Sequence, residues 1–354
     1  VAPLSVPTIG FFSNGEGAAS ASLTYHLSWM FSELGINVLV VDLDPHAKLT
    51  RLSLDEWSRE TLEIMATHAN TMFRAIEPLI KGGDAREPDC TQLADRLSLI
   101  SGDIALATLE DQLAEEWFKY RLVSIPGLRQ PPRLLRSFWQ AAQWRPRTID
   151  AELILIDAGS NLDAISRAAM LASDFVIISV GTDRSSLAGL SVLGPALNRW
   201  RNDWAEWRSE WLSLDSAVPP ERMEPLGYVA SPHTSFLRRR VSWTDWLKKM
   251  PAYYHEYIAC DEIPDRSLER DAACPGILTA YISLTSMGQE AHKPIFSLTP
   301  ADGAIGAHAQ AATNVYRDFK KLAVEILVRI RDPRLMEVAG LSGGGDPTKV
   351  EPAV

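Results

Sequence analysis

Residues 36–42, INVLVVD, are almost wholly apolar and end on an acid. A strand that reads as one continuous apolar run, without alternation, is covered on both faces, as strands of parallel sheets are. Parallel neighbours need a crossover connection, and the residues just before supply one. Residues 8–12 (TIGFF) read as a strand and 13–20 (SNGEGAAS) as a small-residue loop. Residues 21–34 then read as a helix, with Leu23, Leu27, Met30, Phe31 and Leu34 on one face and Gly35 as its stop. The spacing predicts one βαβ unit with a glycine loop where the first strand enters the helix.

Further short apolar runs lie at 97–100, 152–157, 175–180, 226–230 and 294–298, separated by helical pattern. That alternation predicts an α/β fold, a doubly wound and mainly parallel sheet with helices on both faces. The 354 residues, 46% hydrophobic, are enough for one large unit. We expect a single domain over 1–335, irregular insertions near 121–133 and 259–293, and a flexible Gly/Pro-rich tail over 336–354. A net charge of −10 argues against constitutive electrostatic attachment to nucleic acid. No apolar run reaches the roughly 18 residues of a membrane span, and no basic segment followed by an apolar one suggests a signal peptide. Cys90, Cys260 and Cys274 are widely spaced without a CxxC, so a cytoplasmic location is the expectation.

The glycine loop places backbone N–H groups at a helix N-terminus, a geometry that favours phosphate. Gly15-Glu16-Gly17-Ala18-Ala19-Ser20 is close to the dinucleotide pattern GxGxxG, and Asp42 ends the second strand near where an acid would meet a ribose. The alternative pattern, GxxxxGK[ST], needs a lysine for the β- and γ-phosphates. No lysine occurs between residues 1 and 47.

The frame around that loop is nevertheless distinctive. It runs FFSNGEGAASASLTYHLSWMFSELGINVLVVDLDPHAKLT over 11–50. Residues 154–157 (ILID), 158–161 (AGSN), 175–178 (FVII), 293–296 (KPIF) and 301–304 (ADGA) continue it. Together they resemble the ParA/MinD family of deviant Walker ATPases, the plasmid and chromosome partition type. The resemblance implies a P-loop NTPase-like fold, ATP with Mg2+, a nucleotide-sandwiched homodimer and non-specific DNA binding. It places Asn14, Gly15, Gly17, Ser20 and Ser22 around the nucleotide. It also places Asp42 and Asp157 beside Mg2+, and makes Asp44 the residue that orients the attacking water. The family's signature lysine falls on Gly15, its P-loop lysine on Ser20, its magnesium threonine on Ala21, the next threonine on Ser22, and its usual glutamine after the DLDP motif on His46.

Two charge-assisted hydrogen bonds are thereby lost, each worth about 1.5–3 kcal/mol, and Glu16 adds a like charge. A total of roughly 3–6 kcal/mol lowers ATP affinity by about two to four decades. The expectation is a ParA-like protein with weak or absent ATP/Mg2+ binding, a pseudo-ATPase acting as a scaffold or weak nucleotide sensor. Two alternatives stay open. One is an active ATPase that takes a substitute cation from Lys48 or a partner chain. The other is a dinucleotide-binding protein using residues 15–20.

Trp200, Trp204, Trp207 and Trp211 follow i, i+4, i+7, i+11 and so share one helix face. Such a stripe packs inside its own fold, or forms a partner-binding helix, since Trp is enriched at interface hot spots. Trp243 and Trp246 could join it. Arg238–Arg240 with Lys248 and Lys249 form one basic block, and Arg317, Lys320, Lys321, Arg329, Arg331 and Arg334 another. By the resemblance they suggest weak DNA binding; balanced helix faces are the plainer reading. The histidines have no metal-binding spacing. The GxSxG string at 340–344 lacks the strand and helix of a nucleophile elbow.

Overall fold

The computed structural model describes residues 5–14, 19–55, 58, 70–122, 132–144, 149–181, 184–211, 219, 222–230, 248–262, 271–278 and 282–341. The chain runs β1 (Thr8–Asn14), α1 (Ala19–Glu33), β2 (Val38–Asp42), α2 (Lys48–Ser53), α3 (Met72–Ile80), β3 (Thr91–Ala94) and β4 (Leu97–Ile100). It continues through α4 (Glu110–Leu122), α5 (Ser137–Trp144), β5 (Leu153–Asp157), α6 (Ala164–Leu171), β6 (Phe175–Val180) and α7 (Arg184–Trp211). The last part holds β7 (Glu224–Ala230), α8 (Met250–Tyr254), β8 (Gly276–Ile277), α9 (Ile282–Ala291), α10 (Ala307–Ile330) and α11 (Pro333–Val338).

The strands form one sheet in the order β3-β4-β2-β5-β1-β6-β7-β8. Every pair is parallel except β3 with β4. The expected architecture is therefore present. The central strands β1, β2, β5 and β6 are buried along their whole length, as their unbroken apolar runs require.

Three details differ from the sequence reading. Residues 294–298 are not a strand. Ile295–Ser297 form a single 3-10 turn whose Ile295 and Phe296 plug the core between α1 and α10. The edge strands β3 and β8 were not foreseen, because β3 is half exposed and β8 spans two residues. Residues 333–338 are helical, with Leu335 buried, and the helix crosses position 336. Residues 342–354 lie outside the described residues, as do 123–131 in the first insertion and 263–270 and 279–281 in the second.

The sheet separates two apolar clusters. One gathers α3, α4, α5, α6, α7 and α8 on the face that carries Phe12, Val41, Ile154 and Ile178. The other gathers α1 and α10 on the face that carries Ile9, Phe11, Val40, Leu155 and Ile177. The tryptophan stripe belongs to the first. Trp200, Trp204, Trp207 and Trp211 are 4%, 1%, 2% and 0% exposed, so the partner-helix expectation is corrected. The indoles face α4 and α6. Trp207 meets Trp117 at 4.7 Å, Trp211 meets Tyr120 at 5.2 Å, and the Arg167 guanidinium lies 4.4 Å over Trp117. Trp243 and Trp246 lie outside the described residues. Large aromatic rings gain their full burial energy here within one chain. Trp204→Ala should lower unfolding stability by about 3–5 kcal/mol, read by denaturant titration. A loss below about 1 kcal/mol would contradict this packing.

His26 ties α1 to the C-terminal part. The ring is fully buried, stacks on Phe319 at 5.1 Å, and has both nitrogens engaged. Nδ1 lies 2.7 Å from the Ser22 carbonyl, so it carries the proton, and Nε2 accepts from the Ile295 amide at 3.3 Å. Burial pushes the imidazole down to about 4. A histidine kept neutral contributes its full stability above the unfolded value near 6.5 and loses it as pH falls toward 4. The stability difference between the native protein and His26→Gln should therefore shrink between pH 6.5 and 4. A difference that stays constant over this range in urea titrations would refute the assignment.

Candidate functional site

The order β2-β5-β1 brings the C-terminal ends of three strands together, where α/β proteins place ligands. Asp42 and Asp157 end β2 and β5 and stand directly opposite each other in register. Both are 0% exposed, and Asp44 is 6% exposed. The loop after β2 holds Asp42 by turning back on it. Ala47, in left-handed conformation, starts α2, and Thr50 then donates to Asp42 Oδ2 from its amide at 2.8 Å and its hydroxyl at 2.7 Å. The Thr50 hydroxyl accepts from the Gly102 amide at 2.8 Å. The Asp44 amide reaches Asp42 Oδ1 at 3.2 Å.

Asp44 itself is met by His46, whose amide and Nδ1 each lie 3.0 Å from Oδ1. Asp157 receives the Gly159 amide on Oδ1 at 3.2 Å, while its buried Oδ2 has no partner among the described residues. Glycine is needed at two contacts. A Cβ on Gly102 would stand 2.8 Å from Asp42 Cγ, and Gly159, at φ +74°, would press one to 3.3 Å from Asp44 Cγ.

Burial raises Asp42 to about 6, opposed by the Thr50 hydrogen bonds and helped by the charge of Asp44. Burial also raises Asp157 well above its ordinary value, the charges of Asp42 and Asp44 raise it further, and the Ser20 hydroxyl and Gly159 amide hold it back in part. Like charges in one buried site are not all ionised together.

The other sequence candidates divide. Ser20, at the start of α1 and 3% exposed, faces Asp157. Ser22 turns away. It lines a separate cavity of about 150 Å³ with Tyr25, His26, Arg51 and Lys293. Asn14 donates from Nδ2 to the Ser186 carbonyl at the start of α7. Gly15 and Gly17 lie outside the described residues. Lys48 begins α2 and is half-buried. Among the described residues, no group of three or more His, Cys, Asp or Glu is arranged to hold a metal ion. Sequence reasoning missed Thr50 and His46 as partners of the carboxylates. The recurring signal was there: both follow the DLDP motif, in HAKLT.

This sheet, with its loop-to-helix entry at β1 and acids ending β2 and β5, defines a nucleotide-binding type of α/β protein. Residues 7–206 match the AAA domain family, and the chain belongs to that family. No curated protein matches the sequence. Solved structures share the fold. DIP2308 from Corynebacterium diphtheriae is 17% identical, with 92% of this chain and 99% of that one covered and a TM-score of 0.62. A Cyanothece McdA variant in complex with ATP is 13% identical, covering 92% and 96%, with a TM-score of 0.56. The pNOB8 ParA bound to nonspecific DNA is 15% identical, covering 92% and 98%, also at 0.56.

Asp157→Asn tests the electrostatics. A carboxylate whose folded value is raised loses stability as pH rises from its ordinary value near 3.8 toward the raised one, so removing it should favour the variant over the native protein at pH 8. The gain should diminish as the pH is lowered from 8 toward 4. A variant less stable than the native protein at pH 8, in urea titrations, would show that Asp157 is ionised and satisfied.

Proposed function

We propose that this chain is a ParA-type protein with a silenced nucleotide site, a binding or scaffold module and not a working ATPase. The observation that carries the reading is Ser20. It occupies the position of the P-loop lysine, is 3% exposed and faces Asp157. A lysine there would set a positive charge between the carboxylates and a triphosphate; a hydroxyl does not. The adjacent Ala21 is 1% exposed and offers no hydroxyl to a magnesium ion. Both oxygens of Asp42 are already occupied by Thr50 and the Asp44 amide. Ser20 and Ala21 do not supply the cation and the hydroxyl that the family's site would use, and we derive no step through Mg2+ or nucleotide.

In the family, partition depends on nucleotide-gated dimers and on DNA. Here the dimer gate is missing, so any self-association is independent of ATP. Two members of the last basic block are paired with acids. Arg329 pairs with Glu325 and with the Leu226 carbonyl, Arg334 pairs with Asp332, and Arg317 donates to Asn314. Lys320 lies 5.8 Å over the Tyr316 ring. Arg238–Arg240 lie outside the described residues. Among the described residues, no helix is long and apolar enough to cross a membrane.

One observation favours the second reading, an active ATPase with a substitute cation. Lys48 makes no ion pair among the described residues and sits four residues beyond Asp44. Calorimetric titration with Mg·ATP separates the two. The native protein should give no heat up to millimolar ATP and keep its hydrodynamic size. A variant carrying Gly15→Lys, Glu16→Gly, Ala19→Gly, Ser20→Lys and Ala21→Thr should gain at least a hundredfold in affinity, roughly the lower bound set by two charge-assisted bonds. Micromolar binding by the native protein, with turnover abolished by Asp44→Ala, would establish the second reading.

A further inference from the structure

A separate charged cluster lies at the far edge of the sheet. His255 follows α8 and opens a π turn, His255–Ala259. Its Nδ1 stands 2.5 Å from Asp261 Oδ1 and its Nε2 stands 2.9 Å from Asp271 Oδ1. An ionised carboxylate accepts and cannot donate, and a neutral imidazole has one N–H. Two carboxylates on two ring nitrogens are satisfied together only by the imidazolium.

The two arms differ. Asp271 is the anchored one, with its side chain 0% exposed. Tyr228 on β7 donates its hydroxyl to Asp271 Oδ2 at 2.6 Å, and the Ala273 amide donates to Oδ1 at 3.0 Å. Asp261 is the exposed arm, at 58% for its side chain, against 11% for His255. The Asp261 amide also reaches the His255 carbonyl at 3.3 Å. His255 thus joins the turn 255–261 to the β7–β8 edge.

The groups around the ring leave the charge to these acids. Tyr254 packs edge-on to the ring at 5.8 Å, and its own hydroxyl is pushed up by burial. The Cys274 thiol is pushed up to about 11, so it is uncharged. Arg329, from α10, is committed to Glu325 and the Leu226 carbonyl. From α7, Asn198 donates to Cys260 Sγ. Glu256 on the same turn adds negative charge.

We propose that His255, Asp261 and Asp271 form a proton-dependent latch that holds the turn 255–261 closed, with His255 anchored to Asp271 at the β7–β8 edge, and that opens at its Asp261 arm when the imidazolium loses its proton. Burial alone would lower His255, but hydrogen bonds and charge from Asp271 and Asp261 outweigh it and hold the group above 6.5. A raised histidine contributes its full stability below 6.5, and that contribution is lost as pH rises through the folded-state value. The neutral ring keeps one N–H, and the buried Asp271 holds it. A bare nitrogen lone pair then faces Asp261, whose carboxylate swings into water.

Selective 15N-histidine NMR reads the ring directly, with His255→Gln to assign its signals. Both His255 nitrogens should be protonated at pH 6.5. Hydrogen-exchange mass spectrometry on the full chain, corrected for intrinsic rates, should show protection over 255–261 falling by up to tenfold per pH unit from 6.5 toward the folded-state value and levelling off above it. Asp261→Asn, at the exposed arm, should abolish that pH dependence and shift the titration to lower pH. If His255→Gln does not fold, Asp261→Asn identifies the signal by its shift. An unprotonated ring nitrogen at pH 6.5, or protection that is flat from pH 6 to 9 in the native protein, would overturn the latch.

Discussion

Two carboxylates facing each other across adjacent buried strands set the terms for this protein. Asp42 and Asp157 are in register on β2 and β5, both fully buried. A pair of this kind is tolerated only if protons, hydrogen bonds or cations compensate it. The chain spends its local structure on that compensation. The left-handed Ala47 turns α2 back so that Thr50 reaches Asp42, Gly102 and Gly159 keep Cβ atoms off the acids, and His46 covers Asp44. Among the described residues the groups that reach these acids are hydroxyls, backbone amides and the His46 ring.

Much of the fold was legible because burial on both faces leaves a plain mark. The runs at 36–42, 97–100, 152–157 and 175–180 became strands of one parallel sheet. PIFSL carried the same mark and misled. Ile295 and Phe296 are buried by side-chain packing against α1 and α10, not by strand pairing, and apolarity alone does not distinguish the two. β3, TQLA, was illegible for the opposite reason: an antiparallel edge strand is half solvated and has no apolar run.

The candidate site was legible as a set of positions and not as a set of contacts. The DLDP and LILID segments located the three acids. Nothing in the residue pattern showed that Ser22 lines a different cavity or that Asn14 is occupied by the Ser186 carbonyl. Those depend on how α1 and α7 rotate into place. The tryptophan spacing fixed one helix face but not its direction; the aromatic partners Trp117 and Tyr120 on α4 decided it.

His26 carries one more consequence. The segment that matches the family ends at residue 206, yet the ring on α1 is completed by the Ile295 amide and by Phe319. The same holds for the apolar face of the sheet beneath it, covered by Val315, Phe319, Leu322 and Leu327. A chain cut at that family boundary would therefore keep the loop, α1 and all three acids while baring the part of this face that α10 covers. It would have the makings of a nucleotide site without a lid on its core, and its first partner would be another copy of its own exposed face.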